Sequence, residues 1–342
     1  MEKIRMGRTG LMVSRSGFGC LPIQRISFEE AERILRRAYE GGINFFDTAR
    51  MYTDSEEKVG KALGGVRDKI IIASKTHAKD RKTLEEHLET SLKNLNTDYI
   101  DIYQLHNPSE LPAQGDADEL WSGLLAAKSK GLIRHIGVTN HSLKNAVEAA
   151  RSGIYDTVQF PLSSLSSEED MVLSEVCRQH DVGLIAMKAM SGGLITKPAS
   201  SFAFLRKYGN IVPIWGIQRM AELEEFLAME ENPPALDEKM REAIEKDREE
   251  LAGSFCRGCG YCMPCPAGID IPVQARISYM MKRSPYKAFL EDSFRDKMDL
   301  VKGCLNCGRC REKCPYKLDT PRILKEELGR YYEFYEKHKD EK

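Results

Sequence analysis

The 342-residue sequence lacks an excess of either charge: 51 Lys and Arg stand against 52 Asp and Glu, a net charge of −1. Without a positive surplus there is no field to hold a polyanion, which argues against nucleic acid or an anionic membrane as partner. No apolar run approaches the roughly 20 residues that cross a bilayer, and the opening MEKIRMGRTG has no apolar signal core. A cytoplasmic protein is expected. Also missing is a G-x-G-x-x-G turn after any apolar run, which removes the usual mark of an open dinucleotide-binding sheet. Cysteine is what the chain does have: there are ten. In a reducing cytosol, clustered thiols point to metal or redox chemistry rather than to disulfides.

The length exceeds one ordinary domain and suits an α/β barrel of about 250 residues with a smaller module behind it. Eight short apolar runs recur: RSGFGC, GINFFD, DKIIIASK, DYIDIYQLH, LIRHIGVT, YDTVQFPL, VGLIAMK and NIVPIWGI. Amphipathic helices separate them. FEEAERILRRAYEGG puts Ala31, Ile34, Leu35, Ala38 and Tyr39 on one face and stops at a Gly pair, and TLEEHLETSLKNL does the same with Leu84, Leu88, Leu92 and Leu95. Strands this uniformly apolar are covered on both faces, as in a parallel sheet. Eight of them in strict alternation with helices predict a closed (β/α)8 TIM barrel over residues 1–230, opened by a β-hairpin around Arg8-Thr9-Gly10. A Pro-Pro break and a charged helix over 231–252 then lead to a cysteine-rich module over 253–342.

A parallel barrel does its chemistry at the C-terminal ends of its strands. Three runs end there on ionisable residues, Asp47, Lys75 and His106, and Tyr52 follows Asp47 in the next loop. Taken singly these could be an N-cap, a solvated strand end, a core histidine and a rim aromatic. Together in one barrel mouth they suit carbonyl reduction, which needs a hydride from a nicotinamide and a proton on the oxygen. A tyrosine can donate that proton, although its ordinary pKa near 10 makes it sluggish. A neighbouring ammonium is expected to lower it, with Lys75 acting on Tyr52 and Asp47 holding Lys75. His106 would donate to the substrate oxygen.

GINFFDTARMY with the following DSEEKVGKAL, the Lys of IIIASKT, the His of DIYQLH and the later HIGVTN resemble, in order and spacing, the aldo-keto reductases over roughly residues 3–230. The resemblance implies a catalytic tetrad of Asp47, Tyr52, Lys75 and His106. It implies a nicotinamide carboxamide held by Thr139, Asn140 and Gln159, and a loop containing Met187, Lys188 and Gly193 along the ring and pyrophosphate. Gly216, Gln218, Arg219 and Glu225 would receive the adenosine 2'-phosphate. Two departures bear on this. Leu162 and Ser163 stand where a Tyr and an Asn are usual, and Glu222 stands where a basic residue is common, so the cofactor is expected to be NADP with NAD left open. Cys20 ends the first barrel run and is read as packing ahead of any contact with cofactor, and Cys177 as a core residue of its helix.

The other eight cysteines form two runs. Cys256, Cys259, Cys262 and Cys265 are spaced by two residues, and Cys304, Cys307, Cys310 and Cys314 follow C-x2-C-x2-C-x3-C-P. Zinc usually takes two separated C-x-x-C knuckles, whereas the second run is the bacterial ferredoxin pattern, so two 4Fe-4S clusters are favoured over zinc. Carried over with its crossing of the fourth ligand, the pattern gives one cluster Cys256, Cys259, Cys262 and Cys314, and the other Cys304, Cys307, Cys310 and Cys265. The segment between the runs reads as helical, so the module resembles an α-helical ferredoxin, and the whole resembles the iron–sulfur branch of the aldo-keto reductases.

Two functions follow. The first is an NAD(P)H-dependent oxidoreductase acting on an aldehyde, a ketone or the corresponding alcohol. The second is a redox-sensing or electron-transfer protein that uses the barrel as a scaffold. Hydride carries two electrons and a cluster moves one, so a direct relay lacks its usual flavin or radical step. Service to an external redox protein, sensing of oxidation, and stapling of a module with a thin core all stay open for the clusters.

Overall fold

The computed structural model of the protein describes all residues except 114, 116, 118, 252–254, 284, 285 and 342, and leaves out the side chain of 283. The expected boundary between linker and module, at 252 and 253, lies outside the described residues. Among the described residues ten strands are formed: β1 Lys3–Arg5, β2 Met12–Ser14, β3 Gly17–Gly19, β4 Phe45–Asp47, β5 Ile71–Thr76, β6 Ile100–His106, β7 Ile133–Thr139, β8 Thr157–Pro161, β9 Gly183–Met187 and β10 Ile211–Gly216. Strands β3 to β10 pair in parallel, in sequence order, and β10 returns to β3 to close the barrel. Every one of the eight apolar runs is a barrel strand.

The helices α1 Phe28–Glu40, α2 Ser55–Leu63, α3 Arg81–Leu95, α4 Leu120–Ser129, α5 Leu143–Arg151, α6 Glu168–Gln179, α7 Pro198–Arg206 and α8 Met220–Glu231 alternate with those strands. Their ends are written locally. Ser27 accepts from the Glu30 amide to start α1, and Asp80 from the Thr83 amide to start α3. Ala31, Ile34, Leu35 and Ala38 of α1 are buried, as the periodicity predicts, and Tyr39 is half-buried. Leu84, Leu88 and Leu95 of α3 are buried and Leu92 is half-buried.

Strands β1 and β2 form the expected antiparallel hairpin, Lys3 opposite Ser14 and Arg5 opposite Met12. Its Met6 and Val13 join Phe45, Ile71, Ala73, Ile102, Ile185, Val212 and Ile214 in one core cluster. Gly7 permits that docking. It has a φ of +50°, and a Cβ there would lie 2.3 Å from the Gly183 amide nitrogen at the start of β9. With the lower barrel filled largely by hydrocarbon, apart from Thr157 at the start of β8, the polar residues gather in the layer above, toward the C-terminal strand ends.

The chain divides into two compact units, Met1–Met190 with Pro198–Arg241, and Ser191–Lys197 with the chain from Glu242 onward. Among the described residues the second unit contains helices and no strand: most of α9 Glu238–Glu250, then α10 Ile271–Gln274, α11 Ile277–Arg283, α12 Asp292–Asp299, α13 Arg309–Glu312 and α14 Thr320–His338. Glu327 of α14 is buried and accepts from the backbone amide and hydroxyl of Ser278 at 2.7 and 2.9 Å. Among the described residues no helix is long and apolar enough to cross a membrane.

Candidate active site and candidate metal centre

Strand register assembles the site. Gly19 pairs with Asp47, Lys75 with Gln104, Gln104 with Gly137, His106 with Thr139, and Thr139 with Gln159. Successive side chains alternate across a strand, so Gln104 and His106 share one face of β6. The outcome is a polar layer one step above the hydrocarbon floor.

At its centre Lys75 Nζ donates to Asp47 Oδ1 at 2.5 Å and to the Thr48 carbonyl at 2.7 Å, with both side chains almost completely inaccessible. Burial pushes the Asp47 carboxyl up, while Lys75 and the amides of Gln159 and Gln104 pull it back down. Tyr52 is drawn in beside them, its ring 5.3 Å from Lys75 Nζ and edge-on to His106 at 5.8 Å between centroids. The structure therefore brings Asp47, Tyr52, Lys75 and His106 together.

The lowering expected from Lys75 does not prevail. Burial first, then Asp47, then Cys20 push the Tyr52 hydroxyl well above its ordinary value. Lys75 is meanwhile hydrogen-bonded to Asp47, so the pair offers a tyrosinate little net positive potential. Tyr52 is held as a phenol and is a weaker acid than in water. His106 is pushed well below its ordinary value of 6.5 by burial first, then by Lys75 and by His141 and His77. A neutral imidazole results, one nitrogen a donor and the other an acceptor.

The residues expected to hold a nicotinamide amide are close by. Gln159 Nε2 donates to Asp47 Oδ1 at 3.4 Å, and Thr139 Oγ1 lies 3.3 Å from Gln159 Oε1. Asn140 is engaged by backbone at both ends of its amide, donating to the Pro108 carbonyl and accepting from the Ser142 amide. Met187 ends β9 buried and Lys188 follows half-buried. Gly193 falls in Ser191–Lys197, the stretch belonging to the second unit, where the Arg276 guanidinium donates to the Gly192 carbonyl at 2.8 Å. Gly216 ends β10, and Arg219 and Glu225 are exposed at and beyond the start of α8.

The turn containing Gln218 and Arg219 holds a finding of its own. Glu222 Oε2 accepts the backbone amides of Gln218 and Arg219 at 3.0 and 3.1 Å, and Glu222 Oε1 pairs with the Arg219 guanidinium at 2.6 Å. A resident carboxylate thus occupies the donors that an entering anion would use.

Sequence reading missed Gln104, a buried amide hydrogen-bonded to Asp47, Gln159 and Thr139. The signal was one amide in the apolar run IDIYQLH, two residues before His106 and so on its face. It also missed Glu56, buried and held by Arg50 and by Ser74 Oγ at 2.6 Å. Cys20 is fully buried, its amide donating to the Asp47 carbonyl at 2.8 Å. Burial raises its thiol pKa well above the ordinary value, which keeps it a thiol. Cys177 is buried in α6, where burial pushes it up to about 12.

In the second unit the remaining cysteines line two cavities. One is lined by Cys256, Cys259, Cys262, Cys310 and Cys314. The other is lined by Cys262, Cys265, Cys304, Cys307 and Cys310. Among the described residues no three His, Cys, Asp or Glu side chains converge on a point that would hold a single ion. Thiols spread around a cavity suit a cube of iron and sulfide better than a lone ion. Burial first, then the neighbouring Cys256 and Cys259, push Cys262 up to about 12. As thiolates, groups crowded in this way need compensating positive charge, which iron would supply.

Residues 15–201 match the model of the aldo/keto reductase family, and residues 255–319 match that of a 4Fe-4S dicluster domain. The chain is 32% identical to the uncharacterized oxidoreductase YrpG of Bacillus subtilis over 57% of its own length and 68% of that protein's. It is 37% identical to the methylglyoxal reductase DkgA of Yersinia pestis over 38% of its own length and 46% of that protein's, so the match spans less than half of DkgA. The structure of an aldo-keto reductase from Klebsiella pneumoniae in complex with NADPH superposes with a TM-score of 0.62 at 23% identity, covering 72% of this chain and 94% of that one, which shows a shared fold. A closed parallel barrel with polar groups at the C-terminal ends of its strands is the layout of a barrel enzyme. The chain belongs to the aldo/keto reductase family and carries a C-terminal 4Fe-4S dicluster domain.

Removing Lys75 should expose how far the site depends on the ion pair. Lys75→Met leaves the Asp47 carboxylate buried and unpaired, which should cost about 3–5 kcal/mol in denaturant unfolding of the barrel. The double variant with Asp47→Asn should be more stable than Lys75→Met alone.

Proposed function

We propose that the protein reduces a small aldehyde or ketone to its alcohol, or runs the reverse reaction, with NAD(P)H as the two-electron donor. The observation that carries this reading is a half-buried tyrosine, held as its phenol, beside a Lys75–Asp47 pair and a neutral His106 at the C-terminal end of the barrel. Bound at Gln159 and Thr139, with Asn140 shaping the adjoining turn, the nicotinamide supplies the hydride. Every other part of the step belongs to the protein. His106 donates a hydrogen bond to the carbonyl oxygen and orients it. Tyr52 gives that oxygen its proton as negative charge develops there. The tyrosinate left behind lies beside Lys75 Nζ, 5.3 Å from the ring, whose charge is shared with Asp47. Tyr52 recovers its proton from solvent once product leaves. DkgA, by its name a methylglyoxal reductase, makes a small 2-oxoaldehyde the first substrate to try.

For the second unit the reading is two 4Fe-4S clusters, ligated by Cys256, Cys259, Cys262 and Cys314 and by Cys265, Cys304, Cys307 and Cys310. The two thiol-lined cavities support these sets. The cysteines also pack against Ile269, Ile271, Val301, Ile323 and Leu324, so cluster binding contributes to holding this unit's core. Cys307 is the exposed thiol of its set, which makes its cluster the one open to an outside one-electron partner. The electron-transfer reading in which the barrel is only a scaffold leaves the assembled mouth without a use. A reducing cytoplasm is the compartment this account implies.

Two experiments bear on the reading. Tyr52→Phe should lower kcat for NAD(P)H-dependent carbonyl reduction by about 10²- to 10⁴-fold with nucleotide affinity little changed; an unaltered kcat takes Tyr52 out of the mechanism. Because the Glu222 carboxylate lies at the turn assigned to the 2'-phosphate, it opposes NADPH relative to NADH. Glu222→Gln should shift the ratio of the two dissociation constants toward NADPH by about tenfold, or roughly 1.4 kcal/mol, and no shift places the phosphate elsewhere.

A further inference from the structure

Gln104 is fully buried inside the barrel, above a core cluster of Phe45, Ile71, Ala73, Ile102, Val212 and Ile214, with Thr157 as a polar neighbour. An amide in such a place is costly unless every polar atom finds a partner. Here each does. Nε2 donates to Asp47 Oδ2 at 3.2 Å and to Gln159 Oε1 at 2.9 Å, and Oε1 accepts from Thr139 Oγ1 at 3.2 Å.

The direction of this amide is dictated by charge. Flipped, it would set its oxygen against the Asp47 carboxylate and the Gln159 carbonyl oxygen, two acceptor-to-acceptor contacts. Facing as it does, it gives Asp47 Oδ2 a donor while Lys75 and Gln159 Nε2 occupy Oδ1. It also commits Gln159 to one orientation, oxygen toward Gln104 and nitrogen toward Asp47. Space for the side chain comes from the paired strand. Its register partner is Gly137, where a Cβ would lie 3.0 Å from Gln104 Cγ and 2.2 Å from Thr157 Oγ1.

We infer that Gln104 is a positioning residue that aligns the Asp47 carboxylate and the Gln159 amide together, so that the Lys75–Asp47 pair beside Tyr52 and the nicotinamide seat are set by one side chain. The inference rests on the carbonyl-reductase reading. Its consequence for pH follows from the groups that face Asp47, which are Lys75 from β5, Tyr52 from the loop after β4, and Cys20 from the end of β3. Only Lys75 among these favours the charged carboxylate, and the amides of Gln159 and Gln104 assist it. Loss of the Gln104 donor raises the Asp47 pKa, so activity that needs the carboxylate is lost at a higher pH as the solution is acidified.

The test compares wild type, Gln104→Leu and Gln104→Glu as cluster-loaded full chains, by the pH profile of kcat/KM with methylglyoxal and by fluorescence titration with NADH and NADPH. Gln104→Leu removes the polar atoms and Gln104→Glu keeps the shape without the donor. Both should lower kcat/KM at neutral pH by about tenfold or more, move its acid limb upward and weaken nucleotide binding. The limb should move further in Gln104→Glu, whose carboxylate faces Asp47. If Gln104→Leu fails to fold, Gln104→Glu decides alone. An unmoved acid limb together with unchanged nucleotide affinity, whatever the melting temperature does, reduces Gln104 to packing and overturns the inference while the reductase reading stands. Wild-type protein that neither binds the nucleotides nor reduces a carbonyl overturns that reading and the inference with it.

Discussion

The buried ion pair of Lys75 and Asp47 is the interaction to which the rest of the barrel mouth is fitted. Two charges taken out of water are tolerated only with close geometry and with donors for the remaining lone pairs. The structure meets both conditions, with a 2.5 Å contact, a backbone carbonyl for the ammonium, and amides from Gln104 and Gln159 for the carboxylate. Each of those partners stands at the C-terminal end of a different strand or in the loop after it. The pair therefore depends on barrel closure and register, and the positions of Tyr52 and His106 depend on the pair.

That dependence explains the division of the barrel into a dry floor and a polar upper layer. Met6 and Val13 of the hairpin close the floor with hydrocarbon, and Gly7 lets the hairpin approach β9 closely enough to do so. Above it, low dielectric makes the few polar groups count. The same burial that keeps His106 neutral keeps Tyr52 protonated, so the site holds a donor and an acid without a net charge of its own. The second unit solves a different problem. Apart from α9 and α14 its helices are short, and one of its core clusters interleaves aliphatic side chains with thiols, the arrangement in which small modules couple metal binding to folding.

Much of this was legible in the sequence because its signals are local. Apolar runs such as IIIASK and IDIYQLH mark strands through their composition, and a Ser or Asp three residues before the amide it caps marks a helix start. The four ionisable residues were legible because ends of parallel strands meet at one mouth. Register was not legible. The pairing of Gln104 with Gly137 is set by the stagger of the closed barrel, which no single strand contains. The protonation of Tyr52 was misread for a related reason: the strand ends placed Lys75 beside it with Asp47 holding Lys75, but not how far burial would outweigh the ammonium. Nor does any local pattern show that Ser191–Lys197, between two barrel elements in sequence, belongs with the second unit.

The central claim is that hydride passes directly between a nicotinamide and a carbonyl at this mouth, independent of the clusters. It is tested most directly by supplying nicotinamide cofactor deuterated at the transferred position together with methylglyoxal in ordinary water, and analysing the alcohol by mass spectrometry. The account predicts one deuterium retained on the former carbonyl carbon, delivered with a single stereochemistry. Product without deuterium, formed at the expense of the cofactor, would show electrons travelling through a one-electron route and protons arriving from solvent, and would contradict it.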